Sequence, residues 1–177
     1  MEMKLQHAKT KIQVGKLTTL ALLVALGVVL SPILRVPGMA PMQHFINVIC
    51  AVLLGPWYAL LCAVLIAVLR MLLMGINLLA VTGAVFGAVL SGILYRKTGK
   101  LLAAVIGEII GTGIIGAIAS YPVMALVYGN NDVVWLTYVP SFVLGTVIGG
   151  MTAFVFLLAL KKRGLLAKFQ WQVGKYD

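Results

Sequence analysis

From Met42 to Leu73 the chain runs M-Q-H-F-I-N-V-I-C-A-V-L-L-G-P-W-Y-A-L-L-C-A-V-L-I-A-V-L-R-M-L-L. It is almost uncharged, is broken once by Gly55-Pro56, and opens on the polar cluster Gln43, His44 and Asn47. An apolar run of this length belongs in a bilayer, where helices satisfy their own backbone. We read it as two membrane helices hinged at Gly-Pro, with a small polar site at their non-cytoplasmic mouth. Proline removes a backbone donor and disfavours helix in the residue before it, so the break has a local cause.

Composition extends that reading to the whole chain. Its 177 residues are 62% apolar and 10% charged, with a mean hydropathy of +1.10, which describes a polytopic all-α membrane protein. The net charge of +10 does not point to nucleic acid, because the basic residues stand in blocks at span ends. Lys4, Lys9, Lys11 and Lys16 precede the first span. Arg96, Lys97 and Lys100 form a central block, and Lys161, Lys162, Arg163, Lys168 and Lys175 follow the last span. If all three blocks are cytoplasmic, an even number of helices separates each from the next. Phe45 to Leu73 read as one helix gives three crossings before Arg96, whereas the break at Gly55-Pro56 gives four. The expected spans are about 17–34, 44–54, 57–74, 77–94, 102–128 and 135–160: six transmembrane helices in a single integral-membrane domain, 1–177, with both termini cytoplasmic. The second piece, about 16 Å long at 1.5 Å per residue, is too short to cross hydrocarbon unaided. It must be tilted, extended through Pro41-Met42-Gln43, or buried among its neighbours.

The apolar run after Lys16 is long for a signal peptide and ends in Ser31-Pro32 without a small-x-small cleavage site, so it reads as the first helix. Cys50 and Cys62 lie inside spans with no CxxC and read as small core residues. The sequence has no GxxxxGK[ST] loop, no HExxH and no GxSxG, and His7 and His44 are too far apart to suggest a metal pair. We expect no enzyme, no cofactor and no metal.

The polar groups at membrane depth are the informative ones, since ionisable side chains there are costly. Arg70 and Glu108 are the only formal charges well inside the expected spans. They either pair with each other or line a polar cavity. Glu108, Thr112, Ile115, Ala119 and Pro122 follow i, i+4, i+7 spacing and should share one face of the fifth helix. Tyr121, Tyr128, Trp135 and Tyr138 gather near the outside, where they can anchor at the interface or stack on a flat solute. The candidate substrate-binding set is Gln43, His44, Asn47, Arg70, Asn77, Glu108, Thr112, Tyr121, Trp135 and Tyr138, with the stiff segment 36–41 as a lid. Small residues recur at four-residue spacing in Ala21/Ala25, Gly83/Gly87, Gly107/Gly111 and Gly145/Gly149. Most should serve internal packing, and the Ala21/Ala25 pair is the one expected to face a partner.

Six short helices, the Ala-xxx-Ala of the first and the absence of an ATPase motif resemble the substrate-binding S component of an energy-coupling factor (ECF) vitamin transporter. The stretches Pro41-Met42-Gln43-His44-Phe45-Ile46-Asn47-Val48, Leu54-Gly55-Pro56-Trp57-Tyr58-Ala59 and Gly107-Glu108-Ile109-Ile110-Gly111-Thr112-Gly113 resemble the ThiW subfamily in particular. The resemblance implies capture of a thiamin precursor, the hydroxyethylthiazole moiety, at the outer face of a prokaryotic plasma membrane. It also implies partners: a membrane T component and two cytosolic ATPase subunits that supply the energy. The rival readings are a membrane scaffold that binds no solute, in which Arg70 and Glu108 form a structural pair, and a stand-alone secondary carrier.

Overall fold

The computed structural model describes residues 2–33, 40–130 and 132–174, with side chains from Thr10 onward. Among these residues every regular element is helical. The helices are α1 Glu2–Ile33, α2 Pro41–Leu54, α3 Pro56–Met74, α4 Leu79–Thr98, α5 Leu101–Val127, α6 Val139–Lys162 and a short α7, Leu165–Gln172. Five are long and apolar enough to cross a membrane: α3 to α6 and the Thr10–Ile33 part of α1, with α2 as a shorter apolar helix.

Gly55 separates α2 from α3 with φ +89° and ψ −179°, a backbone that L side chains rarely adopt. Pro56 then occupies the first turn of α3, where its missing N–H is no loss. The short α2 answers its length problem in two ways. It starts at Pro41, which takes it to fourteen residues, and it is packed inside the bundle. None of its residues is exposed, and it contacts all six other helices. The remaining helices pack against it.

Glycines permit close approaches between these helices. A Cβ on Gly107 would sit 2.7 Å from the Leu90 carbonyl and the Ser91 backbone, and one on Gly111 would sit 2.6 Å from Gly87 Cα. The α4–α5 contact is therefore backbone on backbone, the close packing that small residues permit in membranes.

Two features depart from the sequence reading. α5 is not α-helical throughout, since Ile109–Gly116 and Val123–Val127 are π-helical. A π turn takes up an extra residue, so four-residue steps stay on one face, and the buried row is Glu108, Thr112, Gly116 and Ser120. Ile115, expected on that face, is 44% exposed. The second departure is α7, which follows the last basic block. Leu166, Gln170 and Val173 are buried, and the Gln170 side-chain amide donates to the Val52 carbonyl (3.0 Å) and the Tyr95 hydroxyl (3.1 Å). It gives a carbonyl of the last turn of α2 a donor from outside that helix.

α7 also places the charges. It lies beside Tyr95 at the end of α4, and the Gln172 carbonyl would be 3.1 Å from a Cβ on Gly15 of α1. The basic blocks around Lys16, Arg96 and Lys168 therefore share one end of the bundle, the cytoplasmic end by the positive-inside rule. With both native cysteines fully buried, labelling can test this with little background. A cysteine at the exposed Asp132 should react with an impermeant thiol reagent added to intact cells, and one at the exposed Thr98 should not. Outside labelling at Thr98 would overturn the six-span arrangement.

Candidate substrate site

Opposite the basic end, the first two turns of α2 bring Gln43, His44 and Asn47 against α3, α4 and α5. Gln43 and Asn47 are four residues apart and so lie one above the other on the helix. Arg70 of α3 is 4% exposed, and its Nη1 donates to Gln43 Oε1 at 3.2 Å. Because a guanidinium only donates, this contact fixes which way the Gln43 amide points. Gln43 Nε2 then faces Asn47 Oδ1 at 3.4 Å, and Asn47 Nδ2 donates to Glu108 Oε1 at 3.0 Å and to the Ala84 carbonyl at 3.3 Å. The two buried formal charges are thus joined by two carboxamides whose donors all point from cation to anion.

Glu108 is the hub of this network. It has no solvent exposure, and its Oε1 accepts from Asn47 Nδ2 and from the Thr112 hydroxyl at 3.2 Å and stands 2.9 Å from His44 Nδ1. Removed from water, a carboxylate depends on such donors. Its Oε2 has no hydrogen-bond partner and lies beside Gly87, where a Cβ would approach it to 2.7 Å.

Above the hub is a cavity of about 210 Å³. Gln43, His44, Arg70 and Asn77 give it polar groups, and Ile76, Leu79 and Phe142 give it apolar wall. The Phe142 ring enters over Gly83, where a Cβ would come within 2.8 Å of it. Asn77 Oδ1 accepts from the Leu79 N–H at 3.3 Å, which leaves its NH2 end outside that turn. The arrangement can hold one small molecule through several directed hydrogen bonds against an aromatic face, the usual composition of a ligand pocket.

The family model of the thiamine-precursor transporter protein ThiW matches residues 17–163. The chain belongs to the ThiW family. No curated protein and no solved structure matches it. The ThiW match runs from α1 to the end of α6, so it takes in every residue of the cavity and the hub and stops ahead of α7. This ThiW-family chain is a multi-pass membrane protein of a transporter family.

Within it, four of the expected site residues, Gln43, His44, Arg70 and Asn77, line the cavity. Asn47, Glu108 and Thr112 are brought together behind that wall and reach it through Gln43 and His44. The aromatics do not line it. Tyr121 stacks on Trp135 with ring centroids 4.4 Å apart, and Tyr138 packs at 6.0 Å against Phe142, through which alone it nears the cavity. Tyr128 accepts a hydrogen bond from the Leu78 N–H at 3.1 Å and so ties the α5–α6 loop to the start of α4. Phe142 escaped the sequence reading. Its only signal is its place four residues after Tyr138, one helical turn on. Of the expected lid, 36–39 lies outside the described residues. Of the two buried charges, Glu108 Oε1 lies 2.9 Å from His44 Nδ1 and Arg70 donates to Gln43. Ala21 and Ala25 are exposed on α1, while Leu20, Leu23 and Val24 face the core.

Proposed function

We propose that this chain is the substrate-capturing S component of an ECF-type importer in a prokaryotic plasma membrane, and that its cavity receives the hydroxyethylthiazole moiety of thiamin. The observation that carries the reading is the cavity's size and lining at the non-cytoplasmic end. At about 210 Å³ it falls below the roughly 300–1,000 Å³ of pockets for drug-sized ligands. That favours a single small ring over the two linked rings of thiamin. Four polar side chains and one aromatic face suit a heteroaromatic alcohol. The exposed Ala21/Ala25 edge of α1 supports a second surface, on which the T component packs closely, with two cytosolic ATPases completing the importer.

One experiment tests both surfaces. Purified protein in nanodiscs should bind hydroxyethylthiazole saturably by calorimetry, with thiamin at least tenfold weaker. The variant with Ala21→Leu and Ala25→Leu should bind the thiazole as well as wild type yet no longer co-purify with ATPase subunits from native membranes. Absence of any thiazole binding would favour the scaffold reading. Undiminished co-purification would move the partner surface elsewhere.

A further inference from the structure

Glu108 touches, from behind the cavity wall, a histidine ring that lines it. The Ala84 backbone carbonyl can only accept, so the Asn47 atom facing it and Glu108 Oε1 is the amide nitrogen. Oε1 therefore already accepts one amide N–H and stands 3.2 Å from the Thr112 hydroxyl. An oxygen so placed receives protons and does not supply one. Any proton on this carboxyl belongs on Oε2, the oxygen beside Gly87. The proton between Glu108 Oε1 and His44 Nδ1, 2.9 Å apart, consequently sits on the ring nitrogen. Which ring nitrogen of a histidine bears hydrogen is set by the bond that the other makes. With Nδ1–H committed to Glu108, the Nε2 of a neutral ring is bare, and His44 lines the cavity.

We propose that His44 presents a hydrogen-bond acceptor to the ligand and reads its hydroxyl group, with Glu108 as the positioning residue that sets the tautomer. This rests on the thiazole reading of the cavity and adds the group by which the ligand is recognised. The other polar walls offer the opposite character: Arg70 only donates, and Asn77 has its NH2 end available. A ligand matched to this cavity therefore gives one O–H and accepts at its ring nitrogen. A site built to accept from a hydroxyl rejects an analogue lacking it, because its own polar group is then left unpaired.

Two measurements test this. In 15N-histidine-labelled protein, His7 and His44 are the only histidines, and the His44 signals are those lost in His44→Gln. The ligand-free protein at neutral pH should show Nδ1 protonated and Nε2 bare, and Glu108→Gln, which keeps an oxygen acceptor for Asn47 and His44, should show the same pattern. Hydroxyethylthiazole should shift the Nε2 signal and bind about 10- to 100-fold more tightly than the ethylthiazole that lacks only the hydroxyl. A proton on Nε2 in the ligand-free protein, or equal affinity for the two thiazoles, overturns the proposal. If neither thiazole binds, the substrate reading fails, and the ligand-free spectrum alone decides the tautomer.

Discussion

Replacing Glu108 by leucine is expected to destabilise the protein by about 2–6 kcal/mol and to abolish binding, because two buried donors lose their acceptor. The carboxyl is fully buried, and three groups from three directions end on its Oε1: Asn47, His44 and Thr112. Leucine fills similar volume but accepts nothing. The His44 N–H and one Asn47 N–H lose their acceptor, at about 1–3 kcal/mol for each donor left unsatisfied. Thr112 loses least, because a helical hydroxyl can turn back to the carbonyl four residues earlier. Glu108→Gln separates loss of the oxygen from loss of the charge. Its amide oxygen can take the place of Oε1, so it should fold nearly as wild type and retain most binding. Thermal unfolding in detergent, with ligand calorimetry on the survivors, checks the pair. A leucine variant that melts with wild type would show that the network does not depend on its hub.

The second large effect is expected on α6, where two adjacent glycines should respond differently to the same change. A Cβ on Gly149 would lie 2.9 Å from His44 Cβ and 3.0 Å from the Phe45 backbone nitrogen, and would overlap the Pro41 carbonyl oxygen. Two of these atoms are backbone, so the first turn of α2 must move. That turn carries Gln43 and His44. A Cβ on Gly150 would meet Val105 Cγ1 at 3.0 Å, a side-chain methyl that need yield only a few tenths of an ångström. Overpacking costs about 1–3 kcal/mol where the surroundings cannot yield. Gly149→Ala should therefore weaken substrate binding more than tenfold and reduce yield, while Gly150→Ala stays close to wild type. Equal behaviour of the two variants would mean that α2 is free to shift against α6.

Much of this architecture was legible because the bilayer restricts the choices. Apolar segments of span length, a glycine-proline break and blocks of lysine and arginine each have one economical reading. The Gly55-Pro56 hinge and the shared basic end follow from them. The polar cluster was legible for the same reason, since Gln43, His44, Asn47, Arg70 and Glu108 have few tolerable places in an apolar chain. What was not legible depends on fine geometry. The π stretch at Ile109–Gly116 leaves no clear periodic trace, and it moved the buried row from Ile115 to Gly116. Aromatics near an interface can turn to lipid, to loop or to ligand at similar cost. Tyr121 and Trp135 found each other, and Phe142, which the sequence reading did not single out, took the cavity wall. α7 was missed because its core contacts, through Leu166, Gln170 and Val173, are too few to form an apolar stripe.

The enclosure of α2 also bears on the kind of membrane in which the protein can work. Fourteen residues make a helix about 21 Å long at 1.5 Å per residue, against a hydrocarbon core of about 30 Å. A helix that short in contact with lipid would thin the bilayer or tilt to suit it, and its side chains would follow the acyl-chain length of the host. α2 has no exposed residue, so the surrounding helices absorb the mismatch. Gln43, His44 and Asn47 ride on a helix enclosed by its neighbours, so on the proposed reading of the cavity the ligand contacts they offer do not follow the thickness of the surrounding bilayer.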